Sequence, residues 1–185
     1  MPELGLDDTK FILPTADTRP ISLNMGMPMP GWSDIYGLDH DAQEDKDGFT
    51  HSAERVNRLI QNEVDNNGVD GSKIVIGGFS QGGALALHVA LRHPTVSFAG
   101  CVALSTWLPL RHDYPSSLSE KAKGLPILQV HGSADNIVGH HWGEESHNLL
   151  KTLVVAPEPR FLTIQVRTNV GRITYIGVYI VCGIE

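Results

Sequence analysis

The sequence predicts an α/β fold, a mostly parallel sheet with helices on both faces. Two observations carry this. Segments with strand-like and helix-like apolar spacing alternate along the chain, the order that a sheet with crossover helices produces. Three of the strand-like segments, residues 73–79 (KIVIGGF), 98–105 and 125–132, are rich in apolar residues nearly throughout, as expected of strands buried inside such a sheet. The length of 185 residues suits one domain, and a hydrophobic share of 41% is enough for a sizeable core.

Taken in order, residues 10–13 form a short strand stopped by Pro14. Residues 15–38 form a long connection carrying Met25, Met27 and Met29; loops of this length usually serve a site. Residues 48–65 read as a helix with Phe49, Ala53, Val56, Ile60 and Val64 on one face, ended by Asn66, Asn67 and Gly68. The strand at 73–79 feeds an apolar helix at 82–92, broken before Pro94. Strands at 98–105 and 125–132 follow. Trp142, Ser146, Leu149, Leu150 and Leu153 then mark a helix with one buried stripe. Residues 160–166 read as a further strand. Residues 172–182 read as one more, paired with 160–166 as a hairpin across 167–171 or left as an exposed edge. The expected organisation is one domain over residues 1–166 and a divergent tail over 167–185. Residues 173–184 (ITYIGVYIVCGI) carry no charge, and such a window aggregates when unpaired. The expectation is poor solubility, improved by deleting 167–185.

Composition narrows the function. A formal charge of -7 with no basic stripe argues against nucleic-acid binding. The two cysteines, Cys101 and Cys182, stand in no metal-ligand spacing. No metal and no cofactor is expected. No secretory signal is read in the first ten residues and no apolar run is long enough for a membrane helix, so a cytoplasmic protein with reduced thiols is expected.

The chemistry lies in Gly78-Phe79-Ser80-Gln81-Gly82, a G-x-S-x-G between a strand and a helix. A serine there sits on a sharp turn with its Oγ above the sheet, and crowding on both sides explains Gly78 and Gly82. The helix N-terminus favours negative charge. The backbone N–H of Gln81 would face the oxyanion of an acyl transfer. Ser80 needs a base held by a third group. Asp135, in the turn HGSADN after a buried strand, fits the acid; its alternative role is an Asx turn. His131 in the same turn is read as a brace. The base is missing. All nine histidines lie at or before His147, and only His140, His141 and His147 follow Asp135. None follows the strand at 160–166.

Four blocks resemble the acyl-protein thioesterases, small carboxylesterases and lysophospholipases of the α/β-hydrolase fold: RPISLNMGMPMPGWSDI (19–35), QEDKDGF (43–49), GGFSQGGALALH (77–88) and LSTWLPL (104–110). HGSADNIV (131–138) is a fifth, weaker match. The resemblance covers roughly residues 10–165 and makes Ser80 the nucleophile, Asp135 the triad acid and Gln81 the oxyanion donor. It sets Trp107, Leu108 and Pro109 near an acyl channel, together with the loop from Met25 and Met27 to Trp32. A thioether-lined groove suits a long acyl chain; plain loop packing is the other reading of these methionines. Two parts of the family pattern are absent: a first strand with an H-G-x-G-D turn supplying the second oxyanion N–H, and a G-x-x-H loop supplying the base. The fold is therefore expected to be incomplete.

The resemblance implies a serine hydrolase of long-chain acyl thioesters or carboxylic esters, acting on S-acylated proteins or lysophospholipids with transient contact at a membrane surface. A truncated, non-catalytic chain that binds acyl groups or partner proteins is the alternative. A nucleotide-binding domain is disfavoured, because neither G-x-x-x-x-G-K nor a G-x-G-x-x-G after a strand is present.

Overall fold

The computed structural model describes residues 8–39, 41–165 and 177–183. Among the described residues, eight strands and three α-helices run in the order β1 (Thr9–Ile12), β2 (Thr18–Ile21), β3 (Met27–Pro30), α1 (Lys46–Asp65), β4 (Ile74–Phe79), α2 (Gln81–Arg92), β5 (Gly100–Leu104), β6 (Ile127–Gly132), α3 (His140–Leu153), β7 (Arg160–Ile164) and β8 (Val178–Gly183). The six-stranded main sheet has the order β1-β8-β4-β5-β6-β7, and β2 and β3 form a separate antiparallel ribbon. β4 to β7 are parallel neighbours, the arrangement predicted from the alternating segments.

Local chemistry explains the helix ends. The Asp45 carboxylate accepts from the Gly48 N–H at 2.9 Å and caps α1. Gly68, with φ 68°, turns the chain away after it. Ser80 is the residue just before α2, and its side chain makes no cap bond.

β8 is the main departure from expectation. It neither pairs with β7 nor forms an edge. It lies between β1 and β4, antiparallel to both, with Ile180 opposite Ile12 and Ile76. Val178, Ile180 and Cys182 are buried at 1%, 0% and 0% exposure. Residues 178–183 are thus an interior strand of the same sheet as residues 9–164. β1 joins the main sheet through β8. The proposed hairpin turn at 167–171, Val166 and the start of the predicted last strand lie outside the described residues.

The three helices share one face of the sheet. A Cβ on Gly78 would overlap Gly82 of α2, and one on Gly143 of α3 would overlap the His131 ring. Lys10 of β1 pairs with Glu63 of α1 at 2.8 Å. The registers put Gly78, His131 and Lys10 on the same side. That side holds Ile74, Ile76, Cys101, Ala103 and Ile127, all at 3% exposure or less. Helices were expected on both faces; no described helix packs on the other. There Val75, Val102 and Val130 are half-buried. Phe11, Leu162 and Ile164 are 51%, 44% and 52% exposed. Exposed apolar side chains on the two edge strands, β1 and β7, favour association.

The helical face also buries a titratable group. His88 of α2 stacks on Phe49 of α1 at 5.9 Å, is 5% exposed, and its Nδ1 has no partner among the described residues. Burial, helped by the charge of Arg92, pushes its pKa from 6.5 down to about 4. The folded state thus holds His88 neutral where the unfolded chain would protonate it. Its contribution is complete above pH 6.5 and is lost as pH falls towards 4, by about 3 kcal/mol at the limit. His93, His131 and His147 are shifted the same way by burial. His88→Phe is therefore expected to reduce, without abolishing, the loss of stability between pH 7 and 4.5. Urea unfolding midpoints across that range measure it; an unchanged slope in the variant refutes the assignment.

Candidate active site

Ser80 stands where β4 turns into α2, with φ 53° and ψ -126°, a strained conformation for a residue with a Cβ. Three bonds hold it. The Ser80 N–H donates to Leu104 O at 2.9 Å, the Ala84 N–H donates to Ser80 O at 3.1 Å, and Thr106 Oγ1 donates to Ser80 O at 2.7 Å. Gly78 is needed because a Cβ would strike the Gly82 carbonyl. Gly82 is needed because a Cβ would strike the Gly177 carbonyl. The second clash comes from the C-terminal segment, which also accepts the Phe79 N–H at Gly177 O, 3.1 Å away.

Gln81 is the first residue of α2, so its N–H has no intrahelical acceptor and is a donor beside Ser80. Its side chain, 1% exposed, has a role that sequence reasoning missed. Oε1 accepts the Trp32 N–H at 2.8 Å, while Nε2 donates to Ser33 O and Ser33 Oγ at 2.9 and 2.8 Å. It ties the end of the Met-rich loop to the serine turn.

Ser80 and Gln81 line a cavity of about 640 Å³ shared with Trp107, Leu108, Trp142 and Leu149. Trp107 packs edge-on against Trp142 at 6.5 Å. The other predicted channel residues lie elsewhere. Trp32 is 1% exposed in the core, with the Arg55 guanidinium 5.8 Å from its ring centre and its carbonyl accepting from Ser52 Oγ. Pro109 is buried but does not line the cavity. Met25 and Met27 are on the β2–β3 ribbon, 86% and 48% exposed, and do not line it either. The ribbon is anchored at Trp32 and Ser33, leaving its methionines outside.

Asp135 is bonded within its own turn. Its Oδ1 accepts the Ile137 and Val138 N–H groups, both at 3.0 Å, and its Oδ2 is 3.8 Å from His131 Nε2. His131 Nε2 bonds Val138 O at 2.8 Å, bracing the same turn. Ile137 and Val138 line the cavity and Asp135 does not. His140 bonds Thr163 Oγ1 at 2.8 Å, His141 packs on Trp142, and His147 packs on Phe161. Among the described residues one histidine lines the cavity, His112, which sits exposed on the turn after Leu110. No imidazole bridges Ser80 and Asp135 among the described residues. They also contain no group of three His, Cys, Asp or Glu side chains that could hold a metal, and no helix long and apolar enough to cross a membrane.

The chain that carries this turn and cavity is similar in sequence and fold to known proteins. The family model described as Phospholipase/Carboxylesterase matches residues 1–164. Acyl-protein thioesterase 1 of Mycosarcoma maydis is 41% identical over 155 residues, which are 80% of this chain and 64% of that protein; the chain thus spans under two thirds of that relative's length. Among solved structures, Arabidopsis thaliana SOBER1 superimposes with a TM-score of 0.76 at 29% identity, over 83% of this chain and 72% of that one. Zea mays acyl-protein thioesterase 2 gives 0.72 at 31%, over 83% and 71%. With most of its length matched by the family model and its sheet shared with these structures, the chain belongs to the phospholipase/carboxylesterase family of α/β-hydrolases.

Proposed function

We propose that the chain carries the acylation half of a serine hydrolase site for long-chain acyl thioesters or carboxylic esters, with Ser80 as nucleophile and S-acylated proteins as the leading substrate class. The observation that carries this is Ser80 on its strained turn at the wall of a largely apolar cavity. Attack by Ser80 Oγ on the acyl carbonyl would form an oxyanion next to the Gln81 N–H, and collapse would release the thiol or alcohol and leave an acyl-enzyme for water. Asp135 fits the acid by chain order, although its carboxylate is committed to its own turn. The setting would be cytoplasmic, with lysophospholipids as the other substrate class.

The relative in M. maydis is named an acyl-protein thioesterase, which supports the thioester reading. A second reading, an acyl-binding chain without turnover, is favoured by the engagement of His140, His141 and His147 with Thr163, Trp142 and Phe161. A fluorophosphonate probe separates the two. The proposal expects slow labelling of the full chain that disappears in Ser80→Ala. Labelling that persists in Ser80→Ala overturns the nucleophile, and no labelling of either protein supports the second reading.

A further inference from the structure

One wall of the cavity is the segment 105–110, which follows β5. It carries a non-glycine residue in the left-handed region at each end, Ser105 with φ 43° and Leu110 with φ 52°. Such a backbone persists only where its surroundings over-determine it. Four side chain–main chain or side chain–side chain bonds do so. Thr106 Oγ1 donates to Ser80 O, and the Leu108 N–H donates to Ser146 Oγ at 2.8 Å. The other two end on one carboxylate. Trp107 Nε1 donates to Glu44 Oε1 at 2.9 Å, and the Leu110 N–H donates to Glu44 Oε2 at 2.7 Å. Glu44 is itself fixed by a backbone bridge to Ile35 on another wall. Glu44, Ile35, Trp107, Leu108 and Leu110 all line the cavity with Ser80.

We propose that Glu44 is a positioning residue: by holding Trp107 and Leu110 it fixes the cavity wall and sets which acyl-chain lengths are accepted. This rests on the reading of the cavity as an acyl-chain site. The chemistry requires a carboxylate. Two N–H donors converge on it, and a carboxylate offers an acceptor to each. Glutamine offers one carbonyl and turns an NH₂ towards the second donor. Released from Oε1, the Trp107 ring is free to shift against Trp142. Each methylene of a bound chain adds affinity only where a wall meets it, so a wall that shifts blurs the distinction between lengths.

The test uses the full chain and measures binding of octanoate, laurate and palmitate by displacement of a fluorescent fatty acid. Glu44→Gln is expected to lower the palmitate-to-octanoate affinity ratio about tenfold. Trp107→Phe keeps a ring but loses the Nε1–H, and should lower the ratio in the same direction. The double variant should fall short of the product of the two effects, as coupled partners do. A Glu44→Gln or Trp107→Phe protein that binds all three chains more weakly by one common factor, or with the wild-type ratio, overturns the proposal. Should Glu44→Gln fail to fold, Trp107→Phe decides alone. Wild-type protein that binds none of the three overturns the acyl-site reading itself, and the positioning role with it.

Discussion

Removal of residues 167–185 is expected to abolish cooperative folding. The deletion takes out β8, an interior strand with β1 on one side and β4 on the other. Burial of Val178 and Ile180, at 1% and 0% exposure, contributes about 1.5–3 kcal/mol each. Cys182 adds a smaller buried side chain. The loss does not stop there. β1 pairs with β8, so its link to the sheet goes too, and the hydrogen-bonding edge of β4 opens beside the serine turn. Net stabilities of domains are about 5–15 kcal/mol, which losses of this size consume. Far-UV circular dichroism and urea titration of both chains measure the effect. A truncated chain with the wild-type midpoint and slope would show that β8 is dispensable. The sequence alone suggested the opposite outcome, improved solubility on deletion, because both placements it offered for the tail, a hairpin with residues 160–166 or an exposed edge, lie outside the sheet's interior. The two edge strands β1 and β7, with Phe11 exposed on one and Leu162 and Ile164 on the other, are the better reason to expect association of the full chain. Light scattering against concentration tests that directly.

The second large effect concerns turnover. The full chain is expected to hydrolyse a short p-nitrophenyl ester well below 10⁻² s⁻¹, about three orders of magnitude under the usual enzyme median of about 10 s⁻¹. Removing a triad member costs several orders of magnitude because nucleophile, base and acid act as a unit. Here the histidines after Asp135 are engaged elsewhere: His140 with Thr163, His141 against Trp142, His147 against Phe161. Asp135 is bonded within its own turn. Steady-state rates for the wild type and Ser80→Ala measure the residual chemistry. A rate near the enzyme median, lost in Ser80→Ala, would contradict the expectation. Alanine substitutions at His112, His140, His141 and His147 would then identify the base.

Local sequence determined much of this protein. Apolar periodicity located α1, α2 and α3 and the strands β4 to β7 within a few residues, because each element's own side chains set its period and burial. The G-x-S-x-G pentapeptide between a strand and a helix implied a sharp turn with glycines packed on both sides, and the chain makes that turn at Ser80. Pairing partners were beyond its reach. An uncharged, β-branched segment such as 173–184 announces a strand but carries no label for the slot it enters. Only the sheet, open between β1 and β4, decided that β8 runs there antiparallel. The cavity wall was hidden for the same reason. Glu44 and Trp107 are far apart in the chain, and only the fold brings a carboxylate to two N–H donors. Methionine in a loop is equally suited to a groove or to solvent. The Gln81 side chain anchors Trp32 and Ser33, a contact across 49 and 48 residues, while Ser22 and Leu23 bond Asp34 and Ile35; these ties across the chain, which no local pattern announces, hold the loop with Met25 and Met27 outside the cavity.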